Sequence, residues 1–221
     1  MAGLVARLVV LGFLAQLCVA CASATAPVAA ISRAPLPGGL TGRTTPPPAS
    51  ALPPSGMLAV IPPGFINFCQ REPDQCPATD EPGRLAVLDA DTWRLLEQVN
   101  RAVNDDIRPQ EDLRHYGVAD HWTLPADGFG DCEDYALLKR KRLLEAGLPV
   151  SALRLAIVDA PREGRHAVLT VATDHGDYVM DNLRGDVFAW SDPRYVWIER
   201  QDPSRTLGWT SLAPPRRIAS R

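Results

Sequence analysis

Cys132 stands in the run Gly130-Asp131-Cys132-Glu133-Asp134-Tyr135, where an irregular polar loop gives way to a helical pattern. A thiol attacks as its thiolate, and free cysteine keeps its proton up to a pKa of about 8.5. The first turn of a helix lowers that value, because its unpaired N–H groups and the helix dipole stabilise an anion. Asp131, Glu133 and Asp134 act the other way, since negative charge beside a thiol raises its pKa. The thiol therefore needs a further partner, and a histidine that pairs with it and later protonates a leaving group would serve.

The chain has four histidines. His115 and His121 lie in the polar loop upstream, and His175 lies in a turn. His166 opens the apolar run Ala167-Val168-Leu169, a strand start from which a side chain can reach a helix terminus. Asp181 follows in Val179-Met180-Asp181-Asn182, where a carboxylate could hold the imidazole in one tautomer, the third role of a triad. A two-residue hairpin loop at His175-Gly176 puts His166 opposite Gly185 and Asp181 opposite Thr170. Both then point to one face of the sheet, about four residues or on the order of 13 Å apart, so a bulge or a different loop must shorten the gap. From spacing alone, Cys132 also reads as a structural residue, His166 as a polar edge residue, and the three acids as helix caps.

The elements that must position these residues are legible in outline. Trp93, Leu96, Val99 and Val103 recur at helical spacing, which predicts a helix over Thr92–Asn104 capped by Asp91. A second helix is expected from Cys132 to Ala146, with Asp131 as N-cap, basic residues toward its far end, and Gly147 and Pro149 as stop signals. Leu153–Val158, Ala167–Ala172, Tyr178–Asp181, Val187–Trp190 and Tyr195–Ile198 read as strands, with a turn at Asp174–Asp177. Helices followed by antiparallel strands predict an α+β fold.

The 221 residues allow one domain with extra segments at the ends, and the formal net charge of −3 with a pI near 5.8 excludes a nucleic-acid partner on charge grounds. Residues 1–24 read as a signal peptide: Arg7, an apolar run from Leu8 to Ala20, then Ala22-Ser23-Ala24. The alternatives are an uncleaved anchor or lipid attachment at Cys21. Residues 25–56, rich in Pro, Ala, Ser and Thr, read as a disordered spacer, and residues 57–215 as the folded domain. Cys69 and Cys76 are close enough to close a short loop; in an oxidising compartment they are expected to pair, leaving Cys132 as the free thiol, and two reduced thiols are the alternative.

Asp120-His121-Trp122, the Gly130-Asp131-Cys132-Glu133-Asp134-Tyr135-Ala136 box, His166-Ala167-Val168-Leu169 and Asp181-Asn182-Leu183 together resemble the bacterial transglutaminase-like cysteine proteinases. The resemblance covers roughly Met57 to Trp197. It implies a papain-like, transglutaminase-like core in which the nucleophile helix packs on an antiparallel sheet. It implies Cys132 as nucleophile, His166 as base and Asp181 as its orienting partner. It also implies calcium as a cofactor, with Asp131 and Glu133 among its ligands; the ion would offset the acidic charge beside Cys132. The LapG-type members of the family are periplasmic proteases that cut a large surface adhesin and are sequestered by an inner-membrane receptor for cyclic di-GMP. By that likeness the chain is expected to be a monomeric, calcium-dependent cysteine endopeptidase, periplasmic or secreted, with an envelope protein as substrate. Pro125-Ala126-Asp127-Gly128, the short loop before the box and the Pro-rich spacer depart from the adhesin-cutting pattern. The same residues would also serve a transglutaminase or amidase, and a non-catalytic calcium-responsive binding module is the reading without chemistry.

Overall fold

The computed structural model describes residues 45–53, 57–78, 81–205 and 207–212; the expected signal peptide, residues 1–24, lies outside them. The elements run α1 (Pro63–Arg71), α2 (Ala90–Asp106), β1 (Arg108–Pro109), α3 (Asp112–His115), β2 (Phe129–Gly130), α4 (Cys132–Glu145), β3 (Leu153–Ala160), β4 (Gly164–Thr173), β5 (Gly176–Met180), β6 (Phe188–Ala189), β7 (Val196–Gln201) and β8 (Trp209–Ser211). The fold is α+β, as the order of patterns predicts: helices come first, then an antiparallel sheet of order β6-β5-β4-β3-β7-β8.

Helix α2 starts two residues earlier than its spacing suggests. Its cap is Asp89, whose carboxylate accepts from Thr92 N–H at 2.7 Å, in place of the expected Asp91. Asp91 instead supplies the negative charge of the first turn, where the dipole favours it. Helix α4 begins at Cys132 with Asp131 as N-cap and ends before Gly147, whose φ of +91° suits glycine.

The period-two alternation of the strands sorts their side chains. Leu153, Leu155, Ala167, Leu169, Val171, Tyr178 and Met180 face the helices and join Trp93, Leu96, Val103, Tyr135 and Leu143 in the main core. Ala156, Val158, Val168, Val179 and Phe188 form a second cluster with Tyr195 and Trp197 packed on it. The central strands are thus buried on both faces, which is why they read as nearly continuous apolar runs.

Residues 45–53 belong to the stretch expected to be a spacer, yet they lie against the sheet. Leu52 is 5% exposed and its N–H donates to Asp177 Oδ2 at 3.1 Å, while Tyr178 O–H donates to Pro47 O and Asp177 N–H to Ser50 O. Asp177 also pairs with Arg200 at 2.8 Å, both side chains buried. Composition fails here because one apolar residue and a few backbone groups, matched to a fixed acceptor, suffice to dock a short segment.

Cys69 and Cys76 form a disulfide that ties the end of α1 to the loop after it. Cys132 is the free cysteine among the described residues.

Candidate active site

The nucleophile helix is built into place from both sides of its first turn. Asp131 and Asp134 form a reciprocal capping box around the first N–H groups of α4. Gly130 is required just before it: a Cβ there would lie 2.7 Å from Asp134 Oδ2. The short parallel pair β1–β2, with Pro109 opposite Gly130, brings the end of α2 alongside the approach to Cys132. Tyr135 O–H fixes the same junction by donating to Ile107 O at 2.7 Å.

Cys132 Sγ receives the N–H of Ala167 at 3.3 Å, so the thiol sits at the head of β4, next to His166. The thiol proton points to Glu133 Oε2 at 3.1 Å. Burial, and then the charge of Glu133, push this thiol well above its ordinary value; the Ala167 N–H opposes them. The helix terminus alone does not make a thiolate here, as the neighbouring acids suggest from sequence.

His166 and Asp181 meet directly. His166 is 4% exposed and Asp181 fully buried, and Nε2–H donates to Asp181 Oδ1 at 2.7 Å. The gap of about 13 Å expected from the hairpin does not occur, because the loop is Asp174-His175 and Thr173 pairs with Gly176. That register places Met180 opposite Leu169, and one further step puts Asp181 opposite Val168, a single diagonal from His166. With Nε2 committed to Asp181, Nδ1 is the ring nitrogen left for the thiol. Leu183 N–H and Tyr195 O–H also donate to Asp181, at 3.1 and 2.5 Å. Desolvation works to raise the Asp181 carboxyl, but His166, Tyr195 and Leu183 outweigh it and hold the group below its ordinary value. Tyr195 escapes sequence reasoning, since only the return of β7 beside β3 brings it near.

Two acidic groupings share Asp131: one with Cys132 and Glu133, the other with Asp112 and Asp134. Asp112 is a second residue that spacing does not reveal. It reaches the box through the β1–β2 pairing; its carboxylate accepts from His121 N–H and its own N–H donates to Asp131 Oδ2 at 3.2 Å. Burial, and then the charge of Asp131, raise Glu133 to about 9; burial raises Asp134 to about 8. Among the described residues, Asp112 Oδ1 and Asp131 Oδ1 are buried without a hydrogen-bond partner. A set of oxygen donors with two unsatisfied lone-pair sites fits a hard divalent cation such as calcium.

Asp131, Cys132 and His166 line an open cleft of about 790 Å³, together with Asn104, Glu111, Arg114 and Leu183. Two of the other histidines have carboxylate partners of their own. His115 pairs with Asp127 at 2.9 Å and stacks on Tyr116, and His175 pairs with Asp174 in the exposed turn. Asp120 serves the fold, since its carboxylate accepts from Gly64 N–H and Trp122 Nε1–H, both at 2.8 Å, and so ties α1 to the buried Trp122.

A family model described as the bacterial transglutaminase-like cysteine proteinases matches residues 55–217. Among solved structures, the chain is similar to calcium-bound LapG of Legionella pneumophila, at 26% identity over 49% of this chain and 64% of that one, with a TM-score of 0.44. The EGTA-treated form of that LapG gives 27% identity over 49% and 62%, again with a TM-score of 0.44. The chain spans less than two thirds of the LapG chains it matches. No curated protein matches it.

Proposed function

The chain belongs to the bacterial transglutaminase-like cysteine proteinases, and from that membership we propose that it is a cysteine endopeptidase whose triad is Cys132, His166 and Asp181. The observation that carries the reading is the buried chain from Asp181 Oδ1 to His166 Nε2, with Cys132 Sγ held at the next residue of β4. In the proposed reaction His166 Nδ1 takes the thiol proton and the thiolate attacks the scissile carbonyl. The backbone N–H of Cys132, in the first helical turn, is the proposed donor for the oxyanion. Collapse expels the amine, which leaves with the proton from His166. Water, deprotonated by His166, then cleaves the thioester and restores the thiol. Asp181 stays ionised throughout and stabilises the imidazolium.

Calcium is proposed as the cofactor, with Asp131 as the shared ligand of two groupings, one that adds Glu133 and one that adds Asp112 and Asp134. When bound it would supply positive charge beside a thiol that the acids otherwise keep protonated. Localisation outside the cytoplasmic membrane is supported by the signal-like N-terminus and by the Cys69–Cys76 disulfide, which persists in oxidising compartments. The proposed substrate is accordingly an envelope protein. A large surface adhesin, with a cyclic-di-GMP receptor as regulator, is the form this takes in LapG-type members.

The direct test is the rate of Cys132 alkylation by iodoacetamide at neutral pH in saturating calcium. A rate well above that of a cysteine in an unstructured peptide is expected, and His166→Ala should abolish the excess. Equal rates for protein and peptide would defeat the proposal.

A further inference from the structure

Arg140, Arg154 and Arg205 line one small pocket, together with Ser151, Gln201 and Asp202. Arg140 stands eight residues after Cys132 on α4, Arg154 near the start of β3, and Arg205 in the connection from β7 to β8. The pocket shares no lining residue with the catalytic cleft. Its lining sets three guanidinium groups against one carboxylate, in a chain whose formal net charge is −3.

Each arginine is fixed in place. Arg140 is 5% exposed; its Nε–H donates to Leu153 O at 3.3 Å and its Nη1–H to Gln75 O at 2.6 Å, which ties α4 to the disulfide loop. Arg154 is 8% exposed, and its Nε–H donates to Ser151 O at 2.8 Å. Among the described residues neither side chain pairs with a carboxylate, and the Nη groups of Arg154 have no hydrogen-bond partner. Arg205 is exposed, but its stem is seated: a Cβ at Gly208 would lie 2.7 Å from Arg205 Cβ and 3.0 Å from Asp202 Cβ, so glycine there lets the turn close tightly.

The carbonyl bonds account for Arg140 but not for the charge of Arg154. A glutamine at that position can donate to Ser151 O without carrying a charge inside, and a buried charge without a counter-ion is costly. Arg200, on the neighbouring strand β7, adds like charge. Burial and then Arg200 push the Arg154 guanidinium down to about 10, and Asp177, already paired with Arg200, and Asp202 offset them only in part. The forked Nη groups of arginine match the oxygens of a carboxylate, phosphate or sulfate. The pocket holds about 20 Å³, enough for a water-sized atom. It admits one terminal oxygen of such a group and leaves the rest of the ligand at the mouth, where the exposed Arg205 can reach it.

We propose that Arg154, with Arg140 and Arg205, forms a binding site for a terminal oxyanion. The site is separate from the catalytic cleft, at the opposite end of β3 from the β3–β4 hairpin whose Glu163 lines that cleft.

The test is titration calorimetry of the calcium-loaded protein with sulfate and, separately, with acetate, chloride holding the ionic strength constant. Saturable one-site binding of at least one of them is expected; sulfate alone marks a tetrahedral group as the ligand, and acetate alone a carboxylate. Arg154→Gln, which keeps a donor for Ser151 O, should weaken binding about tenfold or more. Arg205→Gln, at an exposed position, should weaken it about threefold. No saturable heat with either anion overturns the proposal, as does an affinity unchanged in Arg154→Gln. If circular dichroism shows that Arg154→Gln does not fold, Arg205→Gln decides, and an unchanged affinity there overturns the proposal. Cys132 alkylation should run at the same rate with and without saturating anion. A slowing that persists in Arg154→Gln places the anion in the cleft and overturns the separate site.

Discussion

Asp181 lies one diagonal step from His166 across the β4–β5 pair, and that step closes to a hydrogen bond of 2.7 Å. The bond is sealed from water on both sides, so its electrostatic value is much greater than at a surface. It orients the ring and commits Nε2, which leaves Nδ1 for chemistry.

Asp181→Asn should therefore keep the fold and lose the tautomer. An amide can donate to Nε2 and turn the ring's proton to Nδ1, the wrong nitrogen for a base. We expect kcat/KM to fall about a thousandfold or more, with KM little changed. Steady-state kinetics on a cleavable envelope substrate, beside circular dichroism of the variant, would check it. A loss smaller than about tenfold would mean that Asp181 does not set the tautomer.

Tyr195 makes a prediction about pH. Its O–H helps hold the Asp181 carboxyl below the ordinary range. A carboxylate with a depressed pKa contributes stability above its unfolded value, and this is lost as pH falls through the folded one. Tyr195→Phe removes one donor, so Asp181 protonates at higher pH. The acid limb of kcat/KM should shift upward, and unfolding should become easier by about 1–3 kcal/mol. Urea titrations at neutral and acid pH give the second figure, and an unaltered acid limb would refute the first.

Calcium should stabilise the protein through Asp112 as well as through the two acids beside Cys132. Calcium at about a hundred times its dissociation constant adds about 2.7 kcal/mol to folding stability. EGTA should therefore lower the melting temperature, and Asp112→Asn should weaken the calcium response without lowering the metal-free melting temperature. A calcium titration followed by calorimetry decides this; a response identical in Asp112→Asn and the parent excludes Asp112 as a ligand.

Lys139 gives stability a slope at alkaline pH. Its folded pKa of about 7 lies below the ordinary 10.5, so between these values the folded protein binds fewer protons than the unfolded one. Stability should rise with pH across that window, because the penalty of burying the charge is fully present below it and vanishes above. The difference in urea stability between the parent and Lys139→Met should narrow or change sign over the same range. A constant difference would show that Lys139 keeps its proton throughout.

Leu52 tests the docked segment. It is 5% exposed, and replacing a buried leucine by alanine costs about 2–5 kcal/mol. Leu52→Ala should show a loss in that range on denaturant unfolding while leaving Cys132 alkylation unchanged. A loss below about 0.5 kcal/mol would mean that residues 45–53 add nothing to the domain.

Local patterns in the chain account for the α+β order, the two long helices to within a few residues, the capped start of α4 at Cys132, and the types of residue able to form a thiol site. Periodicity, caps and stop signals act over a few residues, and the run from Asp131 to Gly147 contains all of them. Other features arise only on folding. The hairpin loop lies one residue earlier than expected, at Asp174-His175, and this changes Asp181 from a distant neighbour of His166 into its hydrogen-bond partner. Asp112 and Tyr195 carry no local mark of their roles. They gain them because β1 pairs with β2 and β7 returns beside β3. Such contacts join residues far apart in the chain, and their strength comes from excluding water around charges, a condition that no short stretch of sequence can create alone.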